Sequence, residues 1–214
     1  MNDRFETKPL VYVLSAVPDE MHPLQQSLRE ADGLEASCCI SARQFVQNYR
    51  TDRPGCLVMD TELNDVSGLL VYDELVAYGI QIPVIFLSGN PTVDQCVAAM
   101  RAGAVDFFQK SAPAAKLLVA IRKAVECNVQ DREKRSQRDA VLQRIESLTA
   151  RERETLDLVL DGLSTKQIAS RFGIGFQTAA KHRARLLNKM SVRNDAQLVR
   201  LCMSNQVAAQ ALTS

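Results

Sequence analysis

The chain has 214 residues, with 26 Lys and Arg against 25 Asp and Glu, six cysteines and no tryptophan. That length accommodates two small domains, each able to bury a core. The cysteines form no C-x-x-C pair and have no histidine nearby, which argues against a zinc or disulfide framework. No apolar run reaches membrane-spanning length, and the opening MNDRFETKPL is too polar for a signal peptide. A cytoplasmic protein with no membrane partner is expected.

The near-neutral total hides an asymmetry. Residues 1–121 carry nine Lys/Arg against fifteen Asp/Glu, whereas residues 122–214 carry seventeen against ten. An acidic half joined to a basic half suggests a regulatory or protein-facing unit followed by a nucleic-acid-facing one.

The acidic half alternates strand-like and helix-like segments. Leu10–Leu14 (LVYVL) is a short apolar strand, and Pro18-Asp19-Glu20 then suits a first helical turn, with Leu24 and Leu28 on one face. Ala36–Ile40 reads as a second strand and Ala42–Arg50 as a short helix. Gly55–Met59 is an uninterrupted apolar strand ending at Asp60. A helix over Ser67–Ala77 follows, then a strand at Pro83–Leu87, a helix over Thr92–Ala102, a fifth strand at Val105–Phe108 and a helix from Pro113. Continuous apolar strands between amphipathic helices imply a parallel sheet covered on both faces, whose chemistry collects at the strands' carboxyl ends. Asp60, Ser88 and Lys110 each fall just past such an end. Cys56 and Cys96 lie in apolar surroundings and read as core residues, and core packing outweighs redox sensing for the six thiols.

Helical patterning continues beyond Ala115, but apolar positions thin after Val129 and mixed charges take over until Leu142, Ile145 and Leu148. This predicts a solvent-exposed helical linker over 128–146, between domains at 8–127 and 147–210. Thr149-Ala150-Arg151-Glu152 fits a capping box, opening a helix that Gly162 closes. Ser164 or Thr165 caps a second short helix ending near Phe172-Gly173. A third helix spans about Phe176–Met190, with Ala179, Leu186, Leu187 and Met190 inward and Lys181, His182, Arg185 and Lys189 outward. A last helix covers Val192–Ser204.

From Gly162 to Asn194 there are seven Lys or Arg and no Asp or Glu. Two short helices around a glycine turn, the second basic and acid-free, is the helix-turn-helix layout, whose second helix enters the major groove. Double-stranded DNA is the expected partner.

The segment LTARERETLDLVLDGLSTKQIASRFGIGFQTAAKHRARLLNKM closely resembles the LuxR-type helix-turn-helix of the FixJ/NarL response regulators. It meets the family pattern at Leu148, Thr149, Arg151, Glu152, Leu156, Gly162, Ser164, Lys166, Ile168, Ala169, Thr178, His182, Leu186, Lys189 and Met190. The resemblance implies that Ala180, Lys181, His182, Ala184 and Arg185 face bases, and that Lys166, Thr178, Arg183 and Lys189 clamp phosphates. His182 serves equally well as a packing residue.

Residues 10–125 similarly resemble a receiver domain: Val58-Met59-Asp60 with Ser67-Gly68, Ser88-Gly89, and the run from Ala102 to Lys110. The implied fold is a doubly wound, five-stranded parallel α/β sheet of CheY-like (flavodoxin-like) type, followed by an all-α helix-turn-helix domain beyond a long helical linker. Asp60 becomes the candidate phosphoacceptor, with Ser88 and Lys110 as phosphate contacts. Four positions depart from the family: Asn64 and Ser111 stand where prolines are usual, and Ser15-Ala16 replaces the paired acids that, with the phosphoacceptor, hold Mg²⁺. Asp19 and Glu20 then fall at the first helix's start, as capping charges.

The expected function is therefore a DNA-binding transcription regulator of the response-regulator class, with Mg²⁺-dependent phosphorylation at Asp60 weak or lost. No catalytic set, metal cluster or nucleotide loop appears, so no enzyme, no resident metal and no other cofactor are expected. The resemblance further implies a homodimer and a sensor kinase or other regulatory protein as partner. Competing readings are a conventional phospho-activated regulator, in which Asp19 or Glu20 moves in, and a receiver-fold docking protein. A third possibility for Asp60 and Lys110 is a buried ion pair left in place.

Overall fold

The computed structural model describes residues 8–31, 33–64 and 66–205, apart from the side chains of Pro18, Glu20 and Met21. In chain order the elements are β1 (Leu10–Leu14), α1 (Pro18–Glu30), β2 (Glu35–Cys39), α2 (Ala42–Asn48), β3 (Gly55–Asp60), β4 (Glu62–Leu63), β5 (Val66–Ser67), α3 (Gly68–Ala77), β6 (Val84–Ser88), α4 (Val93–Arg101) and β7 (Asp106–Gln109). They continue with α5 (Ala114–Glu146), α6 (Ala150–Leu160), α7 (Thr165–Phe172), α8 (Phe176–Lys189) and α9 (Asp195–Ser204). Contacts divide the chain into two units between Arg132 and Glu133.

In the first unit five parallel strands lie in the order β2-β1-β3-β6-β7. The central strands β1 and β3 are buried at every position, while the edge strands β2 and β7 are only partly so. Successive side chains leave a strand on opposite faces, and this builds two cores. Tyr12, Leu14, Leu57, Met59 and Phe86 pack with Phe45 of α2 and Val71, Tyr72 and Leu75 of α3. Val11, Val13, Val58 and Ile85 pack with Leu24 and Leu28 of α1 and with Leu117, Ile121 and Ala124 of α5. The sheet order reverses between β1 and β3, so a crevice opens at their carboxyl ends. Asp60 ends β3 at that crevice.

The expected elements recur with shifts of one or two residues, two differences being larger. First, the final helix begins at Asp195 rather than Val192, because Asn194 caps it by accepting a hydrogen bond from the Gln197 amide at 2.9 Å. Second, α5 is a single helix of 33 residues. Asn128, expected as the first linker residue, is buried, and its Oδ1 accepts from the Gly55 amide at 3.1 Å. The first unit accordingly runs past the expected boundary at 127. Further along α5, Val141 and Ile145 are buried in the core of the second unit.

That second core joins Leu148, Leu156, Val159, Ile168, Ala179, Leu186, Met190, Leu198 and Cys202. Capping boxes at Thr149–Glu152 and Ser164–Gln167 start α6 and α7. Gly173 ends α7 with φ 63°, a left-handed turn that a side chain resists. Residues 206–210, the tail of the expected 147–210 domain, lie outside the described residues.

Candidate nucleic-acid interface and the Asp60 site

The second unit is built so that one face of α8 is left over. Ala179, Leu186 and Met190 recur at helical spacing and are fully buried. Thr178, Lys181, Arg185 and Asn188 recur at the same spacing on another face and are exposed. Ala184 is exposed, whereas Ala180 and His182 are half-buried. Lys181 and Arg185 take no acidic partner among the described residues, and neither does Lys166, exposed on α7. Gly175 precedes α8 without a side-chain cap, and Phe176 at its first position is 55% exposed.

Two expected phosphate clamps are held within the unit instead. Arg183 pairs with Asp195 at the start of α9, and its Nη1 donates to Thr165 Oγ1 at 2.9 Å. It lies four residues after Ala179 and three before Leu186, so the helical repeat turns it inward. Lys189 donates to Glu152 Oε2 at 2.7 Å and to the Ser147 carbonyl at 2.9 Å. Glu152 is 4% exposed, and Lys189 together with the Thr149 amide holds its carboxyl down at about 2. Arg144 and Arg153 donate to the Met190 and Ile145 carbonyls near helix ends. The pairing of Glu152 with Lys189 across 37 positions left no local signal in the sequence. Arg185, Asn188, Glu152 and Lys189 line one groove, and Asn188 is the residue there that the sequence reading missed.

In the first unit Asp60 and Lys110 meet: Lys110 Nζ donates to Asp60 Oδ2 at 3.0 Å. Asp60 is 4% exposed, and Ser88 is buried at the end of the neighbouring strand. The backbone is fixed closely around Asp60. Thr61 donates its amide to the Leu87 carbonyl at 2.8 Å, and Gly68 donates to the Thr61 carbonyl at 2.8 Å. A Cβ on Gly68 would collide with the Asp60 carbonyl oxygen, which is why glycine follows Ser67 here.

Ser15, where the family has an acid, folds back on its own loop. Its hydroxyl accepts from the Val17 amide at 3.2 Å and donates to the Val17 carbonyl at 3.4 Å. Asp19 is exposed in the first turn of α1, where an acid complements the helix's free amides, while the N-cap Val17 makes no side-chain cap. The Glu20 side chain lies outside the described residues. Among the described residues, no three His, Cys, Asp or Glu side chains gather to hold a metal. Mg²⁺ takes oxygen ligands, among them one or two carboxylates. Among the described residues that line this crevice, Asp60 is the one carboxylate, and Lys110 already donates to it.

Asn64 sits at φ 56° in the turn of the small β4–β5 hairpin. Asparagine tolerates that left-handed geometry, and proline, locked near φ −65°, does not. Burial pushes the thiols of Cys38, Cys39 and Cys202 up and that of Cys56 to about 12, which leaves them little thiolate at neutral pH. Cys96, expected in the core, is half-buried on α4.

No helix among the described residues is long and apolar enough to cross a membrane. The family model for the response regulator receiver domain matches residues 17–122, and that for bacterial regulatory proteins of the luxR family matches residues 146–202. The chain is 35% identical to the response regulator protein TodT of Pseudomonas putida, over 94% of this chain and 87% of that one. It is 34% identical to the transcriptional regulatory protein FixJ of Azorhizobium caulinodans, over 85% and 86%. Among solved structures, response regulator StyR superposes with a TM-score of 0.82 at 34% identity, covering 92% of this chain and 99% of that one. Full-length FixJ from B. japonicum gives 0.56 at 27% identity, covering 94% and 98%. The chain thus belongs to the transcriptional response regulators, with a receiver domain followed by a LuxR-type DNA-binding domain.

Proposed function

We propose that this regulator reads DNA through Lys181 and Arg185, and that it works with little or no Mg²⁺-dependent phosphorylation of Asp60. The observation behind the first half is the exposed, acid-free face of α8. Lys181 and Arg185 carry the hydrogen-bonding readout, while Ala180 and Ala184 offer only apolar contact, such as to a thymine methyl. Lys166 and Thr178 position the phosphates, and His182 contributes backbone contact or packing. Arg183 and Lys189 act by holding the unit together rather than by clamping phosphates. Two copies acting as a homodimer would read a pseudo-palindromic or repeated site. In this reading the domains extend beyond 8–127 and 147–210 along α5, the first taking in Asn128 and the second Val141 and Ile145, and the protein is cytoplasmic, has no enzymatic activity, and answers to a sensor kinase or another regulatory protein.

The second half rests on Asp60 being the only described carboxylate at a site where Lys110 already neutralises it. Phosphoryl transfer needs a metal to offset developing charge, and these side chains supply too few anionic oxygens for one.

Two measurements test the reading. Binding to genomic fragments, followed by anisotropy over a salt series, should show a preferred sequence that Lys181→Ala relaxes; Lys166→Ala should weaken cognate and random duplexes alike. Equal losses on both duplexes for Lys181→Ala would overturn the assignment. Incubation with acetyl phosphate and Mg²⁺ should leave Asp60 unmodified by intact-mass analysis, and stoichiometric acyl phosphate would refute the second half.

A further inference from the structure

Four exposed residues of α8, Gln177, Lys181, Ala184 and Asn188, follow one another at intervals of four, three and four positions and so form one row along the helix. Each stands two residues before a member of the inward row Ala179, Arg183, Leu186 and Met190, and two residues turn a helix by about 200°. The exposed row therefore points almost straight away from the core. Lys181 and Ala184 belong to the expected base-facing set, whereas Gln177 matches no motif position.

Other glutamines near helix starts are tied to their own backbone. Gln44, Gln95, Gln167 and Gln197 each hold the third position of a helix. Each accepts, through its side-chain oxygen, from a main-chain amide at or just before the N-cap at 2.8–3.1 Å. Gln177 holds the second position of α8, one place too early for that contact, and Gly175 before it has no side chain to share. Its carboxamide makes no hydrogen bond to a described residue. Donor and acceptor thus stand side by side on the outward face, committed to nothing within the unit.

That combination selects a base. In the major groove adenine presents its N6 donor beside its N7 acceptor, and a carboxamide meets both at once; guanine presents two acceptors and suits a cation. Recognition helices read bases with their N-terminal residues, which favours Gln177 over Asn188, roughly 16 Å further along the axis. Lys181 lies only about 6 Å beyond Gln177, close to two base-pair steps of about 3.4 Å.

We propose that Gln177 is a specificity-determining residue that reads an adenine about two base pairs from the base met by Lys181. The proposal rests on the reading of α8 as the helix that enters the groove.

The test uses the full-length protein and a library of duplexes with a randomised centre. Selection by the wild type should enrich an adenine at a defined position, and selection by Gln177→Ala should leave that position random while the other preferences persist. Those persisting preferences show that the variant is folded, as expected for an exposed residue replaced by a strong helix former. In the enriched duplex, replacing this adenine by 7-deazaadenine removes the N7 acceptor and should weaken wild-type binding about tenfold, within what one bidentate contact contributes. Gln177→Ala should lose about as much on the natural duplex and nothing further on the substituted one. An adenine preference that survives Gln177→Ala, equal losses from 7-deazaadenine in both proteins, or enrichment of no adenine by the wild type would each overturn the proposal. Lys181→Ala keeps the two failures apart. If it relaxes a position while Gln177→Ala relaxes none, the adenine assignment falls alone. If neither variant alters any position, the reading of α8 falls with it.

Discussion

Lys189 and Glu152 show how one side chain's surroundings decide its work. The ammonium of Lys189 meets a carboxylate with 5% side-chain exposure that also accepts from the Thr149 amide at 2.9 Å. Removing the amine strands a buried charge, so Lys189→Met should destabilise the second unit by about 1–3 kcal/mol, read as a lower unfolding midpoint in urea. The same pair sets an acid limit. Because the Glu152 carboxyl is held at about 2, below its ordinary 4.5, its contribution is fully present above pH 4.5 and is lost as pH falls towards 2. Glu152→Gln should flatten the stability profile across that window, and an unchanged slope would show that other carboxyls govern acid unfolding. Arg183 carries the opposite lesson about readability. Its inward position was available from the spacing Ala179–Arg183–Leu186, yet the family resemblance set it among the phosphate clamps. Lys189 offered no such clue, because its partner lies on another helix.

At the scale of the element, the strands of the first unit were legible because parallel sheets bury both faces and so write unbroken apolar runs. Gly55–Asp60 and Val84–Ser88 match the expected segments to within one residue. The caps at Thr149 and Ser164 were legible too, since both satisfy orphan amides by local chemistry, whereas the Asn194 cap was missed and the last helix was expected three residues too early. What escaped was tertiary: a polar residue in a charged stretch, Asn128, is recruited to the first amide of β3. The hinge between α7 and α8 depends on backbone shape rather than on contacts. At Gly173, φ is 63° and a methyl group would meet open space. Gly173→Ala should therefore cost about 1–2 kcal/mol through conformation alone, with the α8 cations unaffected in the folded fraction. Calorimetry and saturating DNA affinity separate the two effects.

Across the whole molecule, the division of contacts at Arg132 changes where the DNA-binding unit should be cut. Val141 is 3% exposed and Ile145 7%, both within the core that also holds Leu156 and Leu186. A fragment beginning at Ser147 discards both side chains, each worth about 1.5–3 kcal/mol when buried. It should melt well below a fragment beginning at Glu133, and equal midpoints would show the last turns of α5 to be dispensable. The sequence marked Ile145 and Leu148 as an apolar face but assigned the former to a linker. Periodicity records that a face is apolar, not which unit covers it.

The hairpin at Asn64 constrains what can be rebuilt beside Asp60. Reinstating the loop proline by a single codon change would set a ring locked at negative φ onto a backbone held at 56°, so β4 and β5 would have to come apart first. Acids placed at 15 and 16 would therefore meet a loop still shaped by asparagine, and the two changes would have to be made together with the turn.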